Sequence, residues 1–215
     1  MAYNLEEQEQ LAAVKAWWKQ YGNLVMWIVI VVLSIYAAWV FWGTYQRRQA
    51  EQAAQLYYEM QLAVQSNDRE RAQRIASDMQ EKFGKTAYAP MASLIAARIA
   101  HDFKEVDAAK RLLRWVVDQS KTDGYRAIAR IRLAGMLLDE GKYDEAQAVL
   151  AAEFPEAFGS MAEDRRGDIY YAQGKLDEAR KAYQSALAKT AADDPGRVLI
   201  QLKLEDLGGA SVAAG

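Results

Sequence analysis

"LAGMLLDEGKYDEAQAVL", residues 133–150, returns 33 residues later as "RGDIYYAQGKLDEARKAY", residues 166–183. Gly141, Lys142, Asp144, Glu145 and Ala146 fall on Gly174, Lys175, Asp177, Glu178 and Ala179. The shared G-K-x-D-E-A string is a turn between two helices. Gly ends the first helix, and the acidic pair complements the positive N-terminal end of the second. Small residues recur where two helices must touch: Ala134 and Gly167 in the first helix, Ala146 and Ala179 in the second. Leu150 and Tyr183 are their bulky partners.

A helix-turn-helix of about 34 residues with these positions is the tetratricopeptide pattern. A weaker unit precedes the two: "LIAARIAHDFKEVDAAKRLL", residues 94–113, aligns Ala97 with Ala134 and Ala109 with Ala146, with Lys104 where the turn Gly would stand. A further helix pair, about residues 49–82, has the length without the signature. Each repeat buries its apolar face only against neighbours, so three or more are needed, and roughly three and a half are present. Pro155 and "EAFGS" (156–160) read as a loop between units. After Pro195, Val198, Leu199, Leu202 and Leu207 form a stripe suited to capping the last repeat.

The 215 residues include three Pro and no Cys. Without Cys there is no disulfide framework, thiolate nucleophile or Cys-ligated metal. Strand-like alternation is absent and Ala is abundant, which predicts an all-helical chain. Four of the 27 Lys and Arg (Lys15, Lys19, Arg47, Arg48) and three of the 29 Asp and Glu (Glu6, Glu7, Glu9) precede residue 49, leaving 23 basic against 26 acidic residues. That balance argues against a nucleic-acid partner.

Leu24–Trp42 is nineteen residues without charge, Gly or Pro. As a helix it rises about 28 Å, close to the hydrocarbon thickness of a bilayer. Eleven positions are Leu, Ile, Val or Phe, which makes insertion favourable by an upper bound of about 3–7 kcal/mol. Trp17, Trp18 and Tyr21 precede the run, and Trp39, Trp42 and Tyr45 close it, as interfacial aromatics do. A cleavable signal would have a shorter run and a small-residue site; here large side chains lead to Arg47 and Arg48. A domain of this size rarely buries such a run, so it reads as an uncleaved anchor. Lys15 and Lys19 against Arg47 and Arg48 is a tie under the positive-inside rule. The expected organisation is a tail over 1–22, a transmembrane helix over 23–43, a helical repeat domain over 44–207 and a disordered tail over 208–215. Ala53, Tyr57, Met60 and Val64 share one face, so the anchor helix is expected to continue into the first repeat.

His101 is the only His and there is no Cys, which excludes a Cys/His metal site, and no G-x-S-x-G nucleophile motif accompanies the single His. Asp139 with Glu140 and Glu163 with Asp164 are adjacent in sequence and do not face each other on a helix. No phosphate-binding loop, dinucleotide fingerprint or metalloprotease motif occurs. The chain therefore reads as a binding protein without cofactor or metal. Solenoids of this kind bind on the surface lined by the first helix of each pair. In this register that surface holds Met91, Leu94, Arg98 and His101, then Ile128, Ile131 and Leu138, then Asp164, Asp168 and Tyr171. Its apolar centre suits extended polypeptide, though several of these positions also fit inter-repeat core. Repeats that clamp a C-terminal carboxylate use Lys and Asn at positions held here by Leu94, Ile131, Asp164 and by Arg98, Gly135, Asp168, which argues against such a clamp.

"VKAWWKQYG", the single apolar span, "ASLIAARIAHDF", "AIARIRLAGMLL" and "AEDRRGDIYYAQGKLDEARKAY" resemble the YfgM family, tetratricopeptide-like ancillary subunits of the SecYEG translocon. The resemblance runs from about Val14 to Leu207, and Ala162–Asp168 is its most specific piece. It implies an inner-membrane protein with a cytoplasmic N-terminus and a periplasmic repeat domain. Its implied partners are the translocon, the PpiD-like periplasmic chaperone and translocating polypeptides handed on to periplasmic chaperones. A cytoplasm-facing adaptor that assembles a membrane complex is the alternative.

Overall fold

The computed structural model describes residues 3–208, all of whose regular structure is helical. The expected 208–215 tail lies outside the described residues but for Gly208, which sits in a turn. The chain divides between Glu51 and Gln52 into two compact units.

The first unit is the N-terminal part of α1 (Tyr3–Gln65). None of its long apolar window is buried by protein: Trp27, Ile35 and Phe41 are 61%, 66% and 73% exposed. A stretch this apolar and this uncovered is stable only against a nonpolar medium. Its two aliphatic hydroxyls are satisfied within the helix, as lipid requires: Ser34 Oγ donates to the Ile30 carbonyl at 2.7 Å and Thr44 Oγ1 to that of Val40 at 2.9 Å.

The second unit is built of helix pairs. Residues 52–65 of α1 pair with α2 (Arg69–Phe83), α3 (Tyr88–Asp102) with α4 (Val106–Gln119), α5 (Asp123–Asp139) with α6 (Tyr143–Leu150), and α7 (Glu156–Ala172) with α8 (Leu176–Lys189). Helix α9 (Gly196–Asp206) packs on α8. All four pairs share one turn. Asn67, Lys104, Gly141 and Gly174 each have positive φ, at 52°, 65°, 72° and 73°. The next residue's N–H bonds five residues back, from Asp68 to Ala63, Glu105 to Ala100, Lys142 to Leu137 and Lys175 to Tyr170, which closes each helix with a Schellman-type bond. Four residues beyond, Ala72, Ala109, Ala146 and Ala179 are fully buried. The first pair therefore is a complete repeat whose turn Asn the Gly-based signature overlooks.

Three core clusters run through this unit. Ala53, Met60 and Ala63 of α1 pack with Ile75 and Met79 of α2 and with Ala89, Ala92 and Ala96 of α3. Leu94, Leu113, Val116, Leu133, Leu137, Leu150 and Ile169 form the central cluster. Tyr183, Leu187, Ile200, Leu204 and Leu207 form the last.

Three local expectations are corrected. On α1 the buried stripe ends on Ala63, while Val64 is 40% exposed. "EAFGS" is helix, because Pro155 fits a helix start and α7 begins at Glu156; Ser160 is then tied to α8 through the Ala186 carbonyl at 3.1 Å. On α9 the inward face is Ile200, Leu204 and Leu207, whereas Val198, Leu199 and Leu202 are 60%, 56% and 55% exposed. The apolar residues of α9 cover two faces, and burial selects the i, i+4, i+7 set, each member worth up to about 1.5–3 kcal/mol.

Candidate protein-binding groove

The first helices meet in sequence order, α3 with α5 and α5 with α7. The ten residues singled out from the sequence lie on α3, α5 and α7, and their surroundings differ. Leu94 is buried in the central core. Met91, Ile128, Ile131 and Leu138 are half-buried, the last three against that core. Arg98 and His101 are exposed, each 3.8 Å from Asp102. Asp164 and Asp168 are half-buried and held by α9, whose Lys203 Nζ donates to an oxygen of each at 2.7 Å. Tyr171 is exposed, and its hydroxyl donates to Asp206 Oδ2 at 3.2 Å.

Asp168 is the hub of the α7–α8–α9 corner. It also accepts from the Tyr183 hydroxyl at 2.9 Å and from Arg165 Nη1 at 3.1 Å, and Lys203 Nζ lies 5.3 Å from the Tyr183 ring centre. Burial of Tyr183, and next the carboxylate charge of Asp168, push the phenol far above its ordinary value. One Lys, one Arg and one Tyr thus compensate two acids that would otherwise repel each other. Tyr171 is pushed up as well, first by its hydrogen bond to Asp206.

Two cavities open on the first-helix face. One, of about 850 Å³, lies between the end of α1 and α3 and is lined by the apolar Tyr57, Val64, Ile95, Ile99 and Phe103 together with the charged Asp68, Arg69, Arg98 and Asp102. The other, of about 370 Å³, spans α3, α5 and α7 and is lined by Ala97, Arg98, His101, Leu113, Arg132, Gly135, Met136, Asp139 and Arg165. Arg98 lines both. Of the sequence-selected residues, only Arg98 and His101 line these cavities. Arg132, Met136 and Asp139 were missed, although their spacing of four and three places them on one face of α5. Arg165 stands between Asp164 and Asp168 in sequence, with no local signal to set it apart from its charged neighbours.

No constellation here does chemistry. Among the described residues no three His, Cys, Asp or Glu side chains come together as metal ligands. What the surface offers is apolar contact followed by cationic hydrogen-bond donors.

A family model described as a tetratricopeptide repeat-like domain matches residues 15–209. A protein of Neisseria gonorrhoeae named ancillary SecYEG translocon subunit is 33% identical, over 96% of this chain and 100% of its own length. Proteins of the same name in Aggregatibacter actinomycetemcomitans and Escherichia coli are 28% and 23% identical over 96% and 94% of this chain, covering 100% and 96% of their own lengths. The chain belongs to the family of ancillary SecYEG translocon subunits. As a member of that family it is a non-enzymatic adaptor on a tetratricopeptide-like scaffold. Its uncovered apolar helix makes it a membrane-anchored one. The family match spans the anchor and every repeat, α9 included.

Proposed function

We propose that this protein is a membrane-anchored, protein-binding scaffold of the SecYEG translocon that helps pass translocated polypeptides to periplasmic chaperones together with a PpiD-like partner. Residues 23–43 cross the inner membrane, residues 1–22 stay cytoplasmic and residues 44–207 stand in the periplasm. The observation that carries this reading is the first-helix groove of the repeat domain, in a chain that also bears an uncovered apolar span. Apolar lining beside charged donors accommodates extended chain, which offers side chains and main-chain groups together. The side of the membrane and the PpiD-like partnership rest on the family resemblance, because the flanking charges balance.

The sequence has no Cys, so a single Lys121→Cys in the exposed α4–α5 connection gives a clean topology probe. A thiol reagent that crosses the outer but not the inner membrane should label it in intact cells. Labelling only after the inner membrane is opened would overturn the periplasmic reading and establish the cytoplasm-facing adaptor. A photo-crosslinker at Ile131 or Arg98 should then capture translocating chains stalled in the channel.

A further inference from the structure

The cavity between α3, α5 and α7 has a charge character that its apolar surroundings do not require. Three arginines reach it from three successive first helices, Arg98, Arg132 and Arg165, beside one carboxylate, Asp139. Arg132 makes no ion pair among the described residues, and Arg98 has only a 3.8 Å contact to Asp102 with its side chain 78% exposed. Arg165 spends one donor on Asp168 at 3.1 Å, while its Nε is buried without a hydrogen-bond partner. A guanidinium carries five donors, so most of this capacity is unfilled.

The repeat register explains the convergence. Arg132 and Arg165 occupy equivalent positions at the 33-residue shift, and the matching position in the preceding repeat, 37 residues before Arg132, is Ile95 in the neighbouring cavity. Gly135 makes the room: Arg165 Cζ lies 3.3 Å from where a Cβ on residue 135 would stand. Arg98, lining both cavities, joins the one with the apolar row Ile95, Ile99 and Phe103 and a balanced set of charges to the one with a cationic excess.

We infer that the groove selects extended polypeptide segments in which apolar residues adjoin an acidic side chain, the apolar part lying along Ile95, Ile99 and Phe103 and the carboxylate received by Arg98, Arg132 and Arg165. Carboxylate is the matching chemistry because guanidinium donors pair with its two oxygens, and charge complementarity fixes the occupant and its register along the groove. This rests on the protein-binding reading above and adds a sequence preference to it.

The test uses the full-length chain in nanodiscs and a fluorescein-labelled, C-terminally amidated peptide of Leu, Ile, Ser and Gly with one central Glu, alongside its Gln and Lys counterparts. By anisotropy, Glu to Gln in the peptide should weaken binding about tenfold, and Glu to Lys more, with the difference shrinking in high salt. Arg132→Gln should reduce the Glu preference severalfold, and Arg132→Glu should shift the preference toward Lys. Arg132 is chosen because its replacement breaks no ion pair; a thermal melt of each variant confirms folding. Equal binding of Glu and Gln peptides, or a Glu preference undiminished by Arg132→Gln, overturns the inference and leaves the groove reading intact. A free C-terminal carboxylate that replaces the need for Glu overturns the side-chain assignment. Failure of all three peptides to bind overturns the protein-binding reading and this inference with it.

Discussion

Gly167 faces Tyr183 so closely that a Cβ on residue 167 would stand 2.4 Å from the tyrosine ring. In the preceding repeat the same two positions hold Ala134 and Leu150, both fully buried. The pair is a size exchange: one methyl removed from α7 admits a larger ring on α8, and the ring's hydroxyl reaches Asp168 at 2.9 Å. Gly167→Ala should cost about 1–3 kcal/mol, since the ring is fixed at both ends and cannot retreat. Denaturant unfolding of Gly167→Ala, Tyr183→Leu and the double variant measures the coupling. The double variant should recover part of the loss, restoring the Ala134–Leu150 arrangement but not the Asp168 hydrogen bond. Strict additivity of the two losses would refute the size exchange.

The shared turn makes a second prediction. Lys104 holds φ 65° where Gly141 and Gly174 hold 72° and 73°, and a residue with a Cβ pays roughly 1–2 kcal/mol for that conformation. Lys104→Gly should therefore stabilise the repeat domain, by up to about 1 kcal/mol once Gly's extra unfolded-state entropy is subtracted. Gly141→Ala should do the reverse, although nothing crowds its Cβ position. Thermal melts of both single variants decide it, and shifts of the same sign would contradict a strained turn.

The same turn shows where the sequence was legible. G-K-x-D-E-A marks two repeats because Gly is the residue that takes positive φ freely, so Gly141 and Gly174 announce their geometry. Asn67 and Lys104 adopt it without announcing it, so the first repeat reads only as a length. The anchor was legible because nineteen apolar residues allow few alternatives. The groove was less so: Leu94 and Arg98 stand four apart on α3, yet Leu94 is buried while Arg98 is exposed, and only the approach of α4 and α5 separates them. Asp164 and Asp168 read as groove residues because Lys203, 35 or more positions away, has no local signature.

Two ionisable contacts set opposite pH limits. Glu140 ties α5 to Lys110 on α4 and also meets Lys142 at 2.7 Å. Hydrogen bonding to Lys110 first, then to Lys142, lowers its carboxyl below the ordinary range. A lowered carboxylate contributes stability above its unfolded value and loses it as pH falls through the folded one. Glu140→Gln should flatten the acid limb of the stability profile. Tyr183 is raised, so its contribution is complete below the ordinary phenol value of about 10 and declines as pH climbs above it. Tyr183→Phe should remove that alkaline decline. Urea midpoints taken across pH for the three proteins test both, and an unchanged acid limb in Glu140→Gln would show that its pairing contributes nothing to folding.

The register of α9 can be tested by contrast along a single helix. Leu204 is 5% exposed and packs with Ile200, Leu207 and Tyr183, whereas Leu202, two residues away, is 55% exposed. Leu204→Ala removes core volume and should cost about 2–5 kcal/mol, while Leu202→Ser should stay within about 0.5 kcal/mol. Lys203 lies between them and fastens the same helix to Asp164 and Asp168. Lys203→Met would leave those two acids with Arg165 as the one neighbouring positive charge, a loss of about 1.5–3 kcal/mol. Hydrogen exchange on full-length protein should show α9 and the end of α8 opening in Lys203→Met and Leu204→Ala, with α3 and α4 unchanged. This pattern is expected because each repeat is stabilised by its immediate neighbours. Equal loss of protection throughout the domain would mean that the repeats unfold as one block.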